Sequence, residues 1–195
     1  MFAARGYGRV EGQMTKGEIL TRGTIWITIV GYAAGAAAFA FSKKRYEWDW
    51  AARLAWTVGC VGLLTHVACA FHFYHGWSHS AAYVDTGRQT REVFGLDWGG
   101  GLYVNYVLLI CWVLDVSWWW LRGLNAYRRR PWPLMAAWHG FLIFIIFNAT
   151  VIFGSGFVRW AGLCVCTSLC LAWWLGARVN STQRPGKYSP TVAED

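Results

Sequence analysis

Long apolar runs separated by short polar loops are the feature that most constrains this chain. Five runs occur, at about 24–41, 54–80, 102–121, 132–153 and 157–177. Each is close to the roughly 20 residues that an α-helix needs to cross about 30 Å of hydrocarbon. In hydrocarbon, helices and closed barrels are the structures that satisfy every backbone hydrogen bond. We therefore predict an all-α, polytopic integral membrane protein with five transmembrane helices in a bundle.

The same runs define the domain organisation. Residues 1–178 are predicted to form a single five-helix transmembrane domain, and the polar residues 179–195 a C-terminal tail. Charged residues make up 14% of the chain, whereas soluble domains average about 25%. This composition leaves no segment large and polar enough to form a separate soluble domain.

The basic residues lie mainly at the ends of the apolar runs. A net charge of +8 suggests a nucleic-acid partner in a soluble protein, but no basic face exists here outside the loops, which argues against one. Loops 42–53 and 122–131 and the C-terminal tail hold most of the Lys and Arg, so we expect them to be cytoplasmic. The N-terminus then lies outside the inner (plasma) membrane, although the basic segment 1–23 opposes this orientation.

The strongest chemical signal is the segment 66–79, which holds four of the five histidines. On a continuous helix, with about 100° per residue, His72, His75 and His79 fall within roughly 60° of one another. Neutral imidazole is a good ligand for copper, zinc and iron. We therefore predict a transition-metal or haem b site at the outer end of the second span. The alternative is a set of interfacial histidines that hydrogen-bond lipid headgroups, water or loop carbonyls.

Part of this segment resembles a motif of known haem proteins. The spacing His72-x-x-x-Gly76-x-x-His79 is similar to a stretch in the haem-carrying anchor subunits of succinate dehydrogenases, and this resemblance implies a haem ligand role. However, Ser78 stands where that family has an arginine, and Asp85 comes two residues late. The first, third and fifth runs also lack histidine. We therefore do not assign the chain to that family.

A second candidate site lies deeper in the predicted bundle. Asp115 is the only acidic residue inside any apolar run, and a charged group in hydrocarbon costs about 2.5–3.5 kcal/mol, so it needs a partner. Asp115 and His139 lie about 9 and 12 Å from the same end of the bundle. We predict that they are in contact, with His66 as a further candidate. The pair is either a proton relay, a carboxylate that orients a ligating histidine, or polar glue between helices.

Two surfaces are candidates for binding a partner. Gly31 and Gly35 form a GxxxG pair in the first run, which lets another helix approach closely. Trp98 lies in the outer loop 80–101, where charges are nearly balanced and residues 84–96 are expected to form a short interfacial helix. Both surfaces suit contact with other membrane subunits or with a second copy of the chain, and the outer loop equally suits a lid over the outer histidines.

The sequence names no reaction and leaves enzymatic activity open. Three roles remain. The first is a redox, electron-transport or metal-handling subunit that uses the outer histidines, with His139 as an additional candidate ligand. The second is a cofactor-free accessory subunit of a larger membrane complex. The third is a small-molecule or lipid-handling protein with a cavity lined by His66, Asp115, His139 and Asn148.

Overall fold

The computed structural model describes residues 15–41 and 47–182, and these contain helices and no β-strand. The predicted all-α class is therefore confirmed for the described residues. The tail 1–14, the basic residues of loop 42–46 and the tail 183–195 lie outside them, together with the predictions that concern those segments. The helices in chain order are α1 (Lys16–Phe41), α2 (Glu47–Ala70), α3 (His79–Phe94), α4 (Gly101–Arg128), α5 (Trp132–Phe147) and α6 (Phe157–Thr182).

Two helices end in a wider turn. A first π-helical turn, Phe71–His75, continues α2, and a second, Asn148–Ile152, continues α5. π-Helical turns are rare and occur often at functional sites. Both lie at the same end of the bundle, because α2 and α5 run in the same direction; we call it the histidine end. The opposite end, with Arg53, Arg122 and residues 128–130, is the arginine end.

Three helical segments are long and apolar enough to cross a membrane: Trp48–His75, Gly101–Arg128 and Trp132–Ile152. Their mean hydropathy is 1.5 to 1.8. The described apolar part of α6, Phe157–Leu171, is shorter. α1 is not among the candidate spans found in the described residues. Within the described residues there are thus three candidate membrane-spanning helices where the sequence predicted five.

Helices α1 and α2 pack with their backbones in direct contact. A Cβ atom added to Gly31 would lie 2.6 Å from the Cα of Gly59, and one added to Gly35 would lie 3.0 Å from the Trp56 ring. Small residues allow this approach, as is typical of membrane helix pairs. The Gly31/Gly35 face therefore contacts α2 of the same chain, and the expectation that it binds a partner subunit stays a prediction.

Large aromatic rings fill the core between α1, α2 and α4. Trp56, Trp112 and Trp119 are each only 2% exposed, as is Tyr32. Each such ring buries about 150–250 Å², so a few of them bridge helices that are too far apart for smaller side chains. The remaining buried core residues are mostly aliphatic, among them Leu63, Leu108, Leu142 and Ile146.

The second span differs from its predicted form. We expected a continuous helix to residue 80, but it ends at His75. Gly76 and Trp77 have positive φ angles of 54° and 62°, and the Ser78 hydroxyl accepts a hydrogen bond from the Ala81 N–H at 3.2 Å. A left-handed glycine followed by a serine N-cap ends one helix and begins the next. This Gly-x-Ser signal is present in the sequence, inside an apolar run that masks it.

The helix that follows, α3, crosses the histidine end. Near its start, the His79 ring lies 5.7 Å from the Tyr103 ring of α4, and near its end Phe94 lies 6.1 Å from Phe153, just after α5. A 16-residue helix is about 24 Å long, which is enough to span the ends of α4 and α5. Ala82 and Gly87 form its buried side.

Candidate functional site

The Asp115 carboxylate is the centre of a polar network within the described membrane-spanning helices. Its Oδ2 accepts hydrogen bonds from Trp56 Nε1 at 2.8 Å and from the Tyr127 hydroxyl at 2.9 Å. Its Oδ1 forms an ion pair with the Arg130 guanidinium. Asp115 is 8% exposed. A buried carboxylate is tolerated when charge and hydrogen bonds are both satisfied, and here they are.

A local break in α4 brings these partners together. Gly123 adopts φ 73° and ψ 175°, which is not helical, and the chain beyond it turns back toward the bundle. As a result Tyr127 and Arg130 reach a carboxylate that lies 12 and 15 residues earlier. The Tyr127 ring also stacks on Trp119, with centroids 4.2 Å apart. The segment 123–130 therefore works as a cap on the arginine end of α4.

His139 lies beside this network but bonds to a different residue. Its Nδ1 is 3.3 Å from the Tyr32 hydroxyl, and its ring lies 5.7 Å from the Trp56 ring. Trp56 thus stands next to both His139 and Asp115. The predicted direct Asp115–His139 contact is wrong: the two residues belong to one cluster, but Arg130, Tyr127 and Trp56 hold the carboxylate. Arg130 is a full positive charge and a better counter-ion than a neutral imidazole.

One buried donor in the cluster has no hydrogen-bond acceptor. The Trp112 indole N–H is unpaired among the described residues, although its ring packs on Trp56 at 5.5 Å. An unpaired buried donor costs about 1–3 kcal/mol. Trp112 therefore contributes through packing alone, in contrast to Trp56, whose N–H donates to a carboxylate.

The outer histidines contact different neighbours. The His72 ring lies 4.7 Å from Phe73, and the His75 ring lies 5.7 Å from Phe71. Both belong to the first π-helical turn, whereas His79 begins α3 beyond the break at residues 76–78. The predicted stripe of three imidazoles on one continuous helix is therefore interrupted between its second and third members.

His79 is exposed and lies against two tyrosines of α4. Its Nδ1 is 3.1 Å from the Tyr106 hydroxyl, and its Nε2 is 3.5 Å from the Tyr103 hydroxyl. The Tyr83 ring of α3 completes the group, 6.0 Å from Tyr103. Tyr106 orients the imidazole, as an outer-shell partner orients a ligating histidine. In the described part of the chain, no three His, Cys, Asp or Glu side chains form a group able to hold a metal ion.

The remaining predicted site residues do not converge. His66 Nδ1 is 2.9 Å from the Thr21 carbonyl oxygen, where it ties α2 to α1. Asn148 donates to the Phe144 carbonyl of its own helix at 2.7 Å. Both are separated along the bundle from Asp115 and His139, so the four residues expected to line one cavity lie in three different places. Trp98 is 56% exposed, with its ring packed over Gly100.

A groove lies between α5 and α6. Its volume is about 410 Å³, it opens to the side of the bundle, and its lining is almost wholly apolar. Gly140 leaves open space at its α5 wall, since an added Cβ there would meet no atom within 4 Å. The lining residues are Gly140, Ile143, Phe144, Phe147, Leu163, Cys166, Thr167 and Cys170.

Sequence reasoning missed Arg130, Tyr127 and Trp56 as partners of Asp115. The available signal was Gly123, because a glycine near the end of an apolar helix often marks a break. A break there returns the basic segment 128–130 toward the only acid within the apolar runs. Comparison of the chain with protein-family models, with curated proteins and with solved structures finds no match.

Proposed function

We propose that this protein is a structural subunit of a larger membrane assembly and that a transmembrane helix of a partner binds in the α5–α6 groove. The observation that carries this proposal is the groove itself. It is concave, apolar and open sideways, which is the direction from which a neighbouring helix approaches within a bilayer.

The lining of the groove favours a helix as its occupant. Membrane helices associate through close packing at small residues rather than through a hydrophobic driving force. Gly140, Cys166, Thr167 and Cys170 supply small side chains on both walls. Phe144, which is 56% exposed, flanks them and offers a large ring to a partner. The exposed face of α4, unlike the groove, carries large aliphatic residues that suit contact with lipid.

The polar groups of the spans support a structural role. Asp115 joins α2, α4 and the cap segment 123–130, and the Tyr32–His139 contact joins α1 to α5. The Trp56–Asp115 and Tyr32–His139 bonds connect different helices and fix their positions. Interhelical hydrogen bonds of this kind hold membrane bundles together.

The number of spans and the side of each terminus follow the expectation from the sequence. We propose that α1 and α6 also cross the inner membrane, which gives five spans with the N-terminus outside and the C-terminus in the cytoplasm. The arginine end then faces the cytoplasm, in keeping with the excess of basic residues in its loops.

Photo-crosslinking within the native membrane tests the groove. A benzophenone amino acid at Phe144 lies in the groove, whereas the same probe at Leu114, 63% exposed on α4, faces away from it. We expect protein crosslinks from position 144 and lipid adducts from position 114. Lipid adducts alone from both positions would contradict the proposal.

Two glycine variants provide a matched pair for this experiment. Gly140 and Gly23 each have open space where a Cβ would stand, so a side chain can begin at either position without meeting another part of the described chain. Gly140→Leu fills the groove and should abolish the crosslink from position 144. Gly23→Leu on α1 should leave it intact. Equal crosslinking in the two variants would place the partner elsewhere.

A metal or haem site at the histidine end is the second candidate function. The observation that favours it is the backbone around His72 and His75, which combines a π-helical turn with left-handed Gly76 and Trp77. Such unusual backbone concentrates at functional sites. In this version His72 and His75, which share one π-helical turn, supply two ligands.

Absorption spectroscopy and elemental analysis of the purified protein test this candidate. A Soret band, or stoichiometric copper, zinc or iron, that is lost in a His72/His75/His79→Ala variant would support it. A metal content that survives the triple substitution would remove the site.

A further inference from the structure

At the arginine end, two arginines are held against tryptophan rings with no carboxylate partner among the described residues. Arg53 Cζ lies 4.1 Å from the centroid of Trp120, and Arg122 Cζ lies 5.3 Å from that of Trp118. By contrast, Arg128 pairs with Asp49 at 3.1 Å. The positive charges of Arg53 and Arg122 are therefore not neutralised within the part of the chain that the structure describes.

The contact with tryptophan leaves the donors of each guanidinium available, because neither side chain donates a hydrogen bond within the described residues. The aromatic ring attracts the cation and restricts where it lies. A guanidinium carries its N–H donors in a planar fork that matches two phosphate oxygens. Trp120 is itself fixed, since its Nε1 donates to Thr57 Oγ1 at 3.0 Å. Trp120 therefore restricts the position of Arg53 before any anion binds.

The side of α4 that carries Trp118, its second flank, has a similar arrangement. Arg130 Cζ lies 5.6 Å from the Trp118 centroid, on the same ring as Arg122. Because Asp115 neutralises Arg130, the pair of guanidinium groups retains one net positive charge. Each flank of α4 therefore offers about one unit of positive charge to an anion.

The depth of both arginines in the membrane indicates that the anion is a lipid phosphate. Arg53 lies about 8 Å inside the start of the span Trp48–His75, and Arg122 is the last residue of α4 before the break at Gly123. The span Trp48–His75, with 28 residues, is about 42 Å long and so extends beyond about 30 Å of hydrocarbon into the headgroup layers. Lipid phosphates are concentrated at this depth, and the exposed indoles of Trp118 and Trp120 suit the same layer.

We propose that Arg53 with Trp120, and Arg122 with Trp118, bind the phosphate groups of anionic phospholipids on the two flanks of α4. The inference does not depend on the proposed partner helix, because the groove lies between α5 and α6. It assigns to the tryptophans of α4 a role in holding arginine forks in place at the membrane surface.

Lipid titration of the delipidated protein in detergent tests this inference. The probes are phosphatidylglycerol, phosphatidylcholine and soluble glycerophosphate, and bound lipid is counted by native mass spectrometry. A basic residue near an anionic membrane surface contributes about fivefold in affinity. We expect Arg53→Gln and Arg122→Gln each to weaken phosphatidylglycerol binding about fivefold, and the double variant about 25-fold. Phosphatidylcholine binding should change less than about twofold.

The matched control is Arg88→Gln at the histidine end, where the arginine is exposed and pairs with Asp85. This variant should bind phosphatidylglycerol like the wild type. If the glutamine double variant fails to fold, Arg53→Lys/Arg122→Lys keeps both charges and loses both forks, and it should still bind more weakly than wild type. Unchanged phosphatidylglycerol binding in the folded double variants, or equal competition by glycerophosphate, would overturn the inference.

Discussion

At the scale of single residues, one buried carboxylate holds several segments of the chain together. Asp115 accepts from an indole and a phenol and pairs with a guanidinium. The partners come from α2 and from the cap beyond Gly123, so the carboxylate ties together segments that are distant in sequence. Loss of any partner therefore changes the contact between helices as well as a single bond.

Trp56 and Trp112 allow the hydrogen bond to be separated from packing. Both indoles are 2% exposed, but only Trp56 donates its N–H to Asp115. Trp56→Phe should destabilise the protein by about 1.5–3 kcal/mol more than Trp112→Phe, the range for a bond to a charged group. Thermal unfolding of both variants in the same detergent measures this difference. Equal destabilisation would show that the Trp56 bond contributes nothing beyond packing.

The ion pair between Asp115 and Arg130 should behave as a coupled unit. Asp115→Asn keeps acceptors for Trp56 and Tyr127 but leaves the buried guanidinium without a counter-charge, and we expect a loss of about 3–5 kcal/mol. Adding Arg130→Gln should cost less than the sum of the single substitutions, by about 0.5–3 kcal/mol. A double-variant cycle in thermal unfolding gives this coupling. Additive effects would mean that the pair is not formed.

The sequence predicted the need for a partner at Asp115 but not its identity. Depth along a straight helix placed His139 opposite the acid, and the structure does put it in the same cluster. The identity of the partner depended on Gly123, where the chain leaves the helical path. Helical periodicity carries no information beyond such a break, and for that reason Arg130 was missed.

At the scale of helices, the contact between α1 and α2 brings two backbones together. It relies on the absence of side chains at Gly31 and Gly59, whose main chains meet. The GxxxG pattern predicted a close helix pair, and a pair is present. Sequence alone could not show whether the second helix belongs to the same chain, because both arrangements need the same small residues.

Adding a methyl group at this contact should force the helices apart. The new Cβ of Gly31→Ala would lie 2.6 Å from the Gly59 backbone, which cannot move aside as a flexible side chain can. We expect a loss of about 1–3 kcal/mol, as for overpacking elsewhere. Gly23→Ala, on the same helix with open space around it, should be neutral or slightly stabilising. Thermal unfolding compares the two variants, and an equal response would show that the α1 and α2 backbones do not meet at Gly31.

The hydropathy pattern did not predict the break between the first π-helical turn and α3. Apolar and aromatic residues run without interruption through Gly76 and Trp77, so hydropathy predicts one helix. The backbone nevertheless turns, because a left-handed glycine and a serine cap end the helix there. His72 and His75 stay together, and His79 joins the tyrosines of α4 instead.

At the scale of the whole molecule, the sequence predicted the all-α membrane class, whereas the number of spans depends on α1 and α6. Among the described residues, three helices meet the length and hydropathy of a membrane span. α1 and α6 were predicted to cross on hydropathy alone. The described side chains of these two helices end at Phe39 and Leu171, so the ends of both apolar runs lie outside them. α1 packs against α2 and α6 against α5, and both therefore belong to the same bundle.

Reporter fusions at the termini test the proposed topology. With five spans, an alkaline phosphatase fused to the N-terminus should be active outside the inner membrane, and a fluorescent protein fused to the C-terminus should mature in the cytoplasm. The positive-inside distribution is the physical reason for this orientation. Both termini on one side of the membrane would require an even number of spans and would contradict the topology.

The most direct test of the structural-subunit account is the protein mass of the particle extracted in polymer discs with its native lipids. A single chain is 22.1 kDa. The account predicts a heavier wild-type particle that Gly140→Leu reduces to the single chain, while Gly23→Leu leaves it unchanged. A wild-type particle that contains one copy of this chain and no other protein would contradict it.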